Sequence, residues 1–233
     1  MPSFYYDFHI HSCLSPCADD EMTPGNICGM AKLKGLQAIA VTDHQSAAML
    51  RAVSSCAKRA GLLLLPGLEI CTREEVHLLA YFASLEQAEA MGLWCFRRLP
   101  DRKNRPEFFG NQWIRDEADR IIAQEERLLI QALTAGLTEV CASVRALGGV
   151  PVPAHINRGA NGILQALGFL PPQEAFTALE VCPQLPLDMD PCARRVLHSS
   201  DAHRLEDIAE PGAQLPAAME TQAIIDYLAA AVN

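Results

Sequence analysis

A chain of 233 residues, half of them apolar and a fifth charged, can bury one sizeable core, so a single globular α/β domain over 1–233 is expected. Nineteen basic against 28 acidic side chains give a formal charge of −9. This argues against unassisted binding to nucleic acid or an anionic membrane, and an anionic substrate must then be attracted locally. The opening "MPSFYYDFHIHS" lacks the basic-then-apolar pattern of a secretion signal, and no apolar run reaches membrane-span length. A cytoplasmic location is expected, and the nine scattered cysteines fit it as reduced, buried small hydrophobes.

In chain order, "FYYDFHIH" alternates, placing Tyr5, Asp7, His9 and His11 on one face and Phe4, Tyr6, Phe8 and Ile10 on the other. "TPGNICGMAKLKG" predicts a helix with Thr23 as its cap, Pro24 at its first position and Gly35 at its end. A strand in "LQAIAVTDH", a helix from Ser46 to Gly61 and a third strand in "LLLLPGLEI" follow. Only "ICTREE" separates that strand from "VHLLAYF", too little for a crossover, which predicts an antiparallel hairpin bringing His77 beside Glu69. "GGVPVPAH", "FTALEV" and "RRVLHSSDAH" complete seven strands, with helices in "TEVCASVRALG" before them and "AMETQAIIDYLAAA" after. Alternating strands and helices indicate a βα layered or barrel fold.

Residues 92–127 are irregular. "QWIRDEADRIIA" predicts two short strands around a turn at Asp116–Asp119, within sequence rich in Pro and charge. Its aromatics Phe108, Phe109 and Trp113, with Arg97, Arg98, Arg102, Lys103 and Arg105, suit a lid that grips a planar base and a phosphate.

Of the seven histidines, His9, His11, His44, His77 and His155 fall at predicted strand ends and His203 just beyond one. Asp19, Asp43, Glu69 and Asp201 accompany them. Sites in βα folds gather at such a rim, and imidazoles mixed with carboxylates suit zinc, iron or manganese. Taken singly, an HxH pair is more often incidental than a ligand pair, and "TDH" or "SDAH" is more often a turn. Their convergence reverses that balance. Asp43 alternates away from the set, His198 alternates away from Asp201, and Asp7, deeper on the His9 face, suits a carboxylate fixing a histidine tautomer. A thiolate site on Cys13 and Cys17 lacks a second close pair to complete it, so these two are expected to shape the loop.

The run of "DFHIHS", "SPCADDEMTP", "AVTDH", "GLEI", "EVHLLAYF", "VPAH" and "SSDAH" resembles the PHP domain family of polymerases and histidinol phosphatases. The resemblance implies a distorted (β/α)7 barrel holding two to three divalent ions (Zn, Mn or Fe). One ion would sit on His9, His11, Glu69 and Asp201, a second on Asp19, His44 and His203, and a third on Glu69, His77 and His155, with Glu69 as a bridge. Asp19 is taken over Asp20 from its distance to Thr23.

Three such ions against Asp19, Glu69 and Asp201 leave a local positive surplus suited to a phosphate dianion, and paired ions can activate a water as hydroxide without a protein nucleophile. Arg158 is the first choice for a phosphate clamp and Arg73 the second; for each, an exposed arginine paired with a neighbouring carboxylate is as good a reading. The expected function is hydrolysis of a small phosphomonoester, a nucleotide or sugar phosphate. The alternatives are a nuclease trimming oligonucleotides, or a catalytically silent metal-binding regulatory module.

Overall fold

The computed structural model describes residues 3–187, 189–191 and 194–232; Cys192 lies outside them. The other eight cysteines are all free. Strand β1 (Phe4–Ile10) runs parallel to β2 (Ala38–Val41), with a register shift between Asp7 and Ile10. Helix α1 (Pro24–Leu33) joins them; Thr23 Oγ accepts from Asn26 N at its start, and Gly35 adopts φ 84° beyond its end, which a side chain would resist. Helix α2 (Leu50–Ala60) begins four residues after the predicted Ser46, whose Oγ instead accepts from Ala48 N in a turn.

The third predicted strand is two. Pro66 has no N–H to give, and the chain divides there into β3 (Leu63–Leu64), parallel to β2, and β4 (Gly67–Cys71), antiparallel to β5 (His77–Tyr81). A Cβ on Gly67 would meet the Tyr81 ring at 2.9 Å and Thr42 at 3.1 Å, so glycine lets these strands close up. The β4–β5 hairpin is as the sequence predicts.

Helix α3 (Leu85–Phe96) was not expected, although Ser84 and Gln87 form a reciprocal capping box at its start. It absorbs Gly92–Phe96 of the expected lid. The remainder folds as α4 (Pro106–Phe109) and the hairpin β6 (Trp113–Arg115) and β7 (Ile121–Gln124) about the Asp116–Asp119 turn. Then come α5 (Leu137–Ala146), β8 (Val150–Pro153) antiparallel to β5, α6 (Ile163–Leu167), β9 (Ala178–Glu180) parallel to β10 (Arg195–Leu197), β11 (Gln214–Leu215) against β1, and α7 (Thr221–Ala229).

A few backbone hydrogen bonds join these sheets at their ends, among them His11 N to Ala202 O, Ile156 N to Glu180 O, and Glu69 N to Thr42 O. Strands β1, β2, β4, β5 and β8 are buried on both faces, whereas β6 and β7 are not. Ile39, Leu68 and Leu78 pack under α1, α2, α3 and α5, whereas Phe8, Ala40, Leu79 and Val152 form a second core with α7. The predicted polar face of β1 is therefore interior, since Asp7, His9 and His11 are all fully buried. Among the described residues no helix is long and apolar enough to cross a membrane.

Candidate metal centre

Where the linked strand ends converge, six imidazoles and two carboxylates meet. His9 Nε2 lies 3.2 Å from Asp201 Oδ1, 3.4 Å from Glu69 Oε1 and 3.3 Å from His11 Nε2. His11 Nε2 is 3.3 Å from Glu69 Oε2 and 3.2 Å from Asp201 Oδ1. On the other side of Glu69, Oε1 approaches His77 Nδ1 at 2.8 Å and His155 Nε2 at 3.2 Å. Four donors around one ion with bonds of about 2.1 Å stand about 3.4 Å apart at the tetrahedral edge, the spacing seen around His9 and His11. Glu69 touches both groups.

Outer partners fix the rings. Glu180 Oε2 accepts from His9 Nδ1 at 2.9 Å and from His155 N at 2.9 Å, turning His9 Nε2 inward. His11 Nδ1 is 3.0 Å from Ser15 Oγ, which donates to Asp43 Oδ1 at 2.7 Å. His203 Nδ1 donates to Asp201 O at 2.8 Å, leaving its Nε2 as the free donor. Asp7, expected to hold a histidine, does not; it accepts from Ser200 Oγ, Ser200 N and Ala209 N, and so anchors the loop bearing Asp201. Glu180 does that work instead. It went unread because it stands alone in "FTALEV", where the signal was one carboxylate in a buried strand.

Charges sort accordingly. Burial opposes the ionised form of Glu69, but His77, His9 and the bond to His11 outweigh it and hold the carboxyl well below its usual range; Asp201 is likewise lowered, chiefly by His9 and His11. Burial pulls the His11 imidazole down, yet Asp201 and Glu69 lift it to about 9. Burial lowers His44 far below the ordinary value and takes His203 to about 4, so both are neutral at pH 7 with lone pairs to share. His44 Nδ1, although 3.1 Å from Glu69 Oε2, makes no hydrogen bond, and His155 Nδ1 has no partner either. For His44, a buried orphan nitrogen beside an anionic carboxylate fits a bound divalent cation, whereas the His155 atom that faces Glu69 is Nε2. His155 and Asp201 hold φ of 29° and 55°, a strained backbone set at the site itself.

Two expected residues are elsewhere. The Asp19 side chain is 57% exposed and turns toward Arg204 Nε at 3.6 Å, because its own N–H is tied to His203 O and the carboxylate is left facing outward. Cys17 of the same loop lies nearer the histidines: donor atoms of His11, Cys17, His44 and His203 all lie within 4.8 Å of one another. Cys17 is an exposed residue, but desolvation of its Sγ, with Glu69 and Asp201 nearby, pushes the thiol pKa up. Cys13 is buried with Sγ toward Trp113 O and shapes the loop as expected. Arg73 is 69% exposed, paired with Glu74 beside a separate cleft near Gly136. Arg158 does border the centre, where its guanidinium pairs with Asp201. His198 is structural, its Nδ1 donating to Val181 O, and Asp43 organises the loop through Ser12 and Ser15.

The centre opens into a cavity of about 180 Å³, bordered by Cys17, His44, His77, His155, Arg158 and His203. That admits a phosphoryl group and leaves most of a nucleotide outside. No residue of the β6–β7 hairpin borders it. The hairpin leans instead on the loop after β1: Trp113 N donates to Cys13 O, Asn111 Nδ2 to Asp20, and a Cβ on Gly110 would strike Pro16 O at 2.1 Å. Arg105 lies over the Phe108 ring and Arg102 near that of Phe109, both from the same segment, and Phe108 stays 70% exposed.

Residues 7–158 match the family model described as the PHP domain. Among curated proteins no sequence matches the chain. Of solved structures, the lesion-specific endonuclease PfuEndoQ from Pyrococcus furiosus is similar at TM-score 0.68 and 17% identity, over 97% of this chain and 56% of that one. The chain thus spans little more than half of that relative. A protein assigned as a metal-dependent phosphoesterase from Bifidobacterium adolescentis gives TM-score 0.59 and 20% identity over 91% and 90% of the two chains. An amidohydrolase from Chromobacterium violaceum, with bound sulfate and no metal, gives 0.59 and 19% over 91% and 92%.

Proposed function

This chain belongs to the PHP domain family, and we propose that it is a metal-dependent phosphoesterase that hydrolyses a small phosphomonoester, a nucleotide or sugar phosphate, at the histidine-rich centre. The observation that carries this is the 3.2–3.4 Å spacing of donor atoms around His9, His11, Glu69 and Asp201, that of ligands around one ion and not of a packed hydrogen-bond cluster. We read a first ion on those four residues, a further ion on Glu69, His77 and His155, and another at His44 and His203. Zinc, manganese or iron suits these donors. The linked strand ends are read as one distorted seven-stranded barrel in a single domain, with the segment after α3 as its insertion. Free cysteines suit the cytoplasm.

Ions held there would supply Lewis acidity toward a phosphoryl oxygen and lower the pKa of an attacking water. The chain does the rest. Glu69 places one negative charge between two cationic positions, and Glu180 and the Ser15–Asp43 pair keep His9 and His11 aimed. Arg158 stands at the mouth, where a substrate phosphate would compete with Asp201 for its guanidinium. The small cavity keeps the leaving group outside, so its identity is read by the rim.

A screen of protein loaded with manganese, iron or zinc against nucleotides, bisphosphorylated nucleosides and sugar phosphates tests the reading. Anomalous scattering should place ions on the residues named. Metal bound with turnover of oligonucleotides alone would favour the second reading, a nuclease, which the fold shared with endonuclease Q and the open mouth support.

A further inference from the structure

We propose that Cys17 is a thiolate ligand, completing with His44 and His203 a sulfur-containing site that takes zinc in preference to manganese. The inference rests on the metal-centre reading above and deepens it.

Three of the four clustered donors are histidines, but His11 is not available to this ion. Its Nδ1 is held by Ser15 Oγ at 3.0 Å, and its Nε2 already faces His9, Glu69 and Asp201 at 3.2–3.3 Å. One lone pair binds one ion. Cys17, His44 and His203 then remain, three protein donors with a position left open to the cavity, which is the pattern of a catalytic and not a closed structural zinc site.

His44 is 2% exposed, its Nδ1, 3.1 Å from Glu69 Oε2, has no hydrogen-bond partner, and its ring offers a donor within 4.8 Å of those of Cys17 and His203. His203 is preset by its bond to Asp201 O. The loop fixes the sulfur with equal care: Cys13 N donates to Met22 O, Ala18 N to Ser15 O, and Asp19 N to His203 O, so the backbone flanking Cys17 is fastened to the very residue that would share its ion. Asp19, the other candidate on this loop, turns its carboxylate to Arg204 and leaves the position to the sulfur. A soft thiolate favours zinc, iron or cobalt over manganese and magnesium. On binding, the S–H bond breaks, its proton goes to solvent and the sulfur's electron pair forms the metal–sulfur bond; no oxidant is needed.

Cobalt(II) replaces zinc and reports sulfur directly. The cobalt-loaded full chain should show a near-ultraviolet thiolate-to-cobalt charge-transfer band that Cys13→Ser retains and Cys17→Ser abolishes. Cys17→His should bind the ion without the band, and Cys17→Ser should lower zinc affinity at one site about tenfold or more. Full cobalt loading without the band, or a band that survives Cys17→Ser, overturns the proposal. Should Cys17→Ser not fold, the unmodified protein decides: zinc at full occupancy should shield Cys17 from iodoacetamide, read by peptide mass spectrometry, and equal alkylation with and without zinc overturns it. A protein that binds no ion at all would instead refute the metal centre, which measured metal content separates from loss of sulfur ligation alone.

Discussion

Glu180 makes the strongest case at the scale of one residue. It orients a ring 171 positions away and also caps the His155 N–H, whose residue adopts a strained backbone. Glu180→Ala is therefore expected to lower metal affinity ten- to a hundredfold, as loss of an outer carboxylate partner does elsewhere, with the fold retained. Competition against a chelator measures it. Glu69→Ala should cost more activity than any single histidine, because one carboxylate serves both sides of the centre. Near wild-type turnover with metals retained would end the bridging role. Arg158→Ala should raise KM severalfold while metal content stays constant, since its guanidinium borders the cavity and donates no electron pair to an ion.

At the scale of elements, the β6–β7 hairpin leans on the loop after β1, and none of its residues borders the cavity. Gln112 is fully buried, donates to Glu125 O and Arg127 O, and accepts from Leu129 N. Gln112→Ala leaves those groups unpaired and should cost about 2–3 kcal/mol, a fall of roughly 4–12 °C in Tm by calorimetry. Much of the framework was legible in the sequence: the capped α1, the β4–β5 hairpin that returns His77 to Glu69, and the hairpin turn at Asp116 all follow from local rules of periodicity and turn chemistry. What was not legible was long-range. Which residue of "SPCADD" faces inward depends on Asp19 N reaching His203 O, a contact between distant loops, so counting back from Thr23 chose Asp19 where the fold presents Cys17. The same holds for Glu180. The division at Pro66 and the capping box of α3 are local signals, carried by the proline and by Ser84 with Gln87.

At the scale of the whole molecule, the charge of −9 and the centre pull in opposite directions. Asp7, Asp43 and Glu180 are buried beside Glu69 and Asp201, so the local positive surplus with ions bound is smaller than the ligands alone imply. Attraction of substrate then acts at short range. Turnover of a small phosphomonoester should change less than about twofold between roughly 50 and 200 mM salt, whereas a duplex substrate held by several phosphate contacts would weaken by orders of magnitude. A steep salt dependence of kcat/KM would point to the nuclease. The bond from Ser200 N to Asp7, 193 residues apart, carries a last consequence. During synthesis at about 5–20 residues per second, β1 leaves the ribosome roughly 10–40 s before the segment that supplies Asp201 and His203. For that interval His9, His11 and Cys17 exist without their partners, and any ion they capture is held by an incomplete set of donors. Correct metallation is on this account a late event, and the metal present when the chain finishes counts for more than the metal present when it starts.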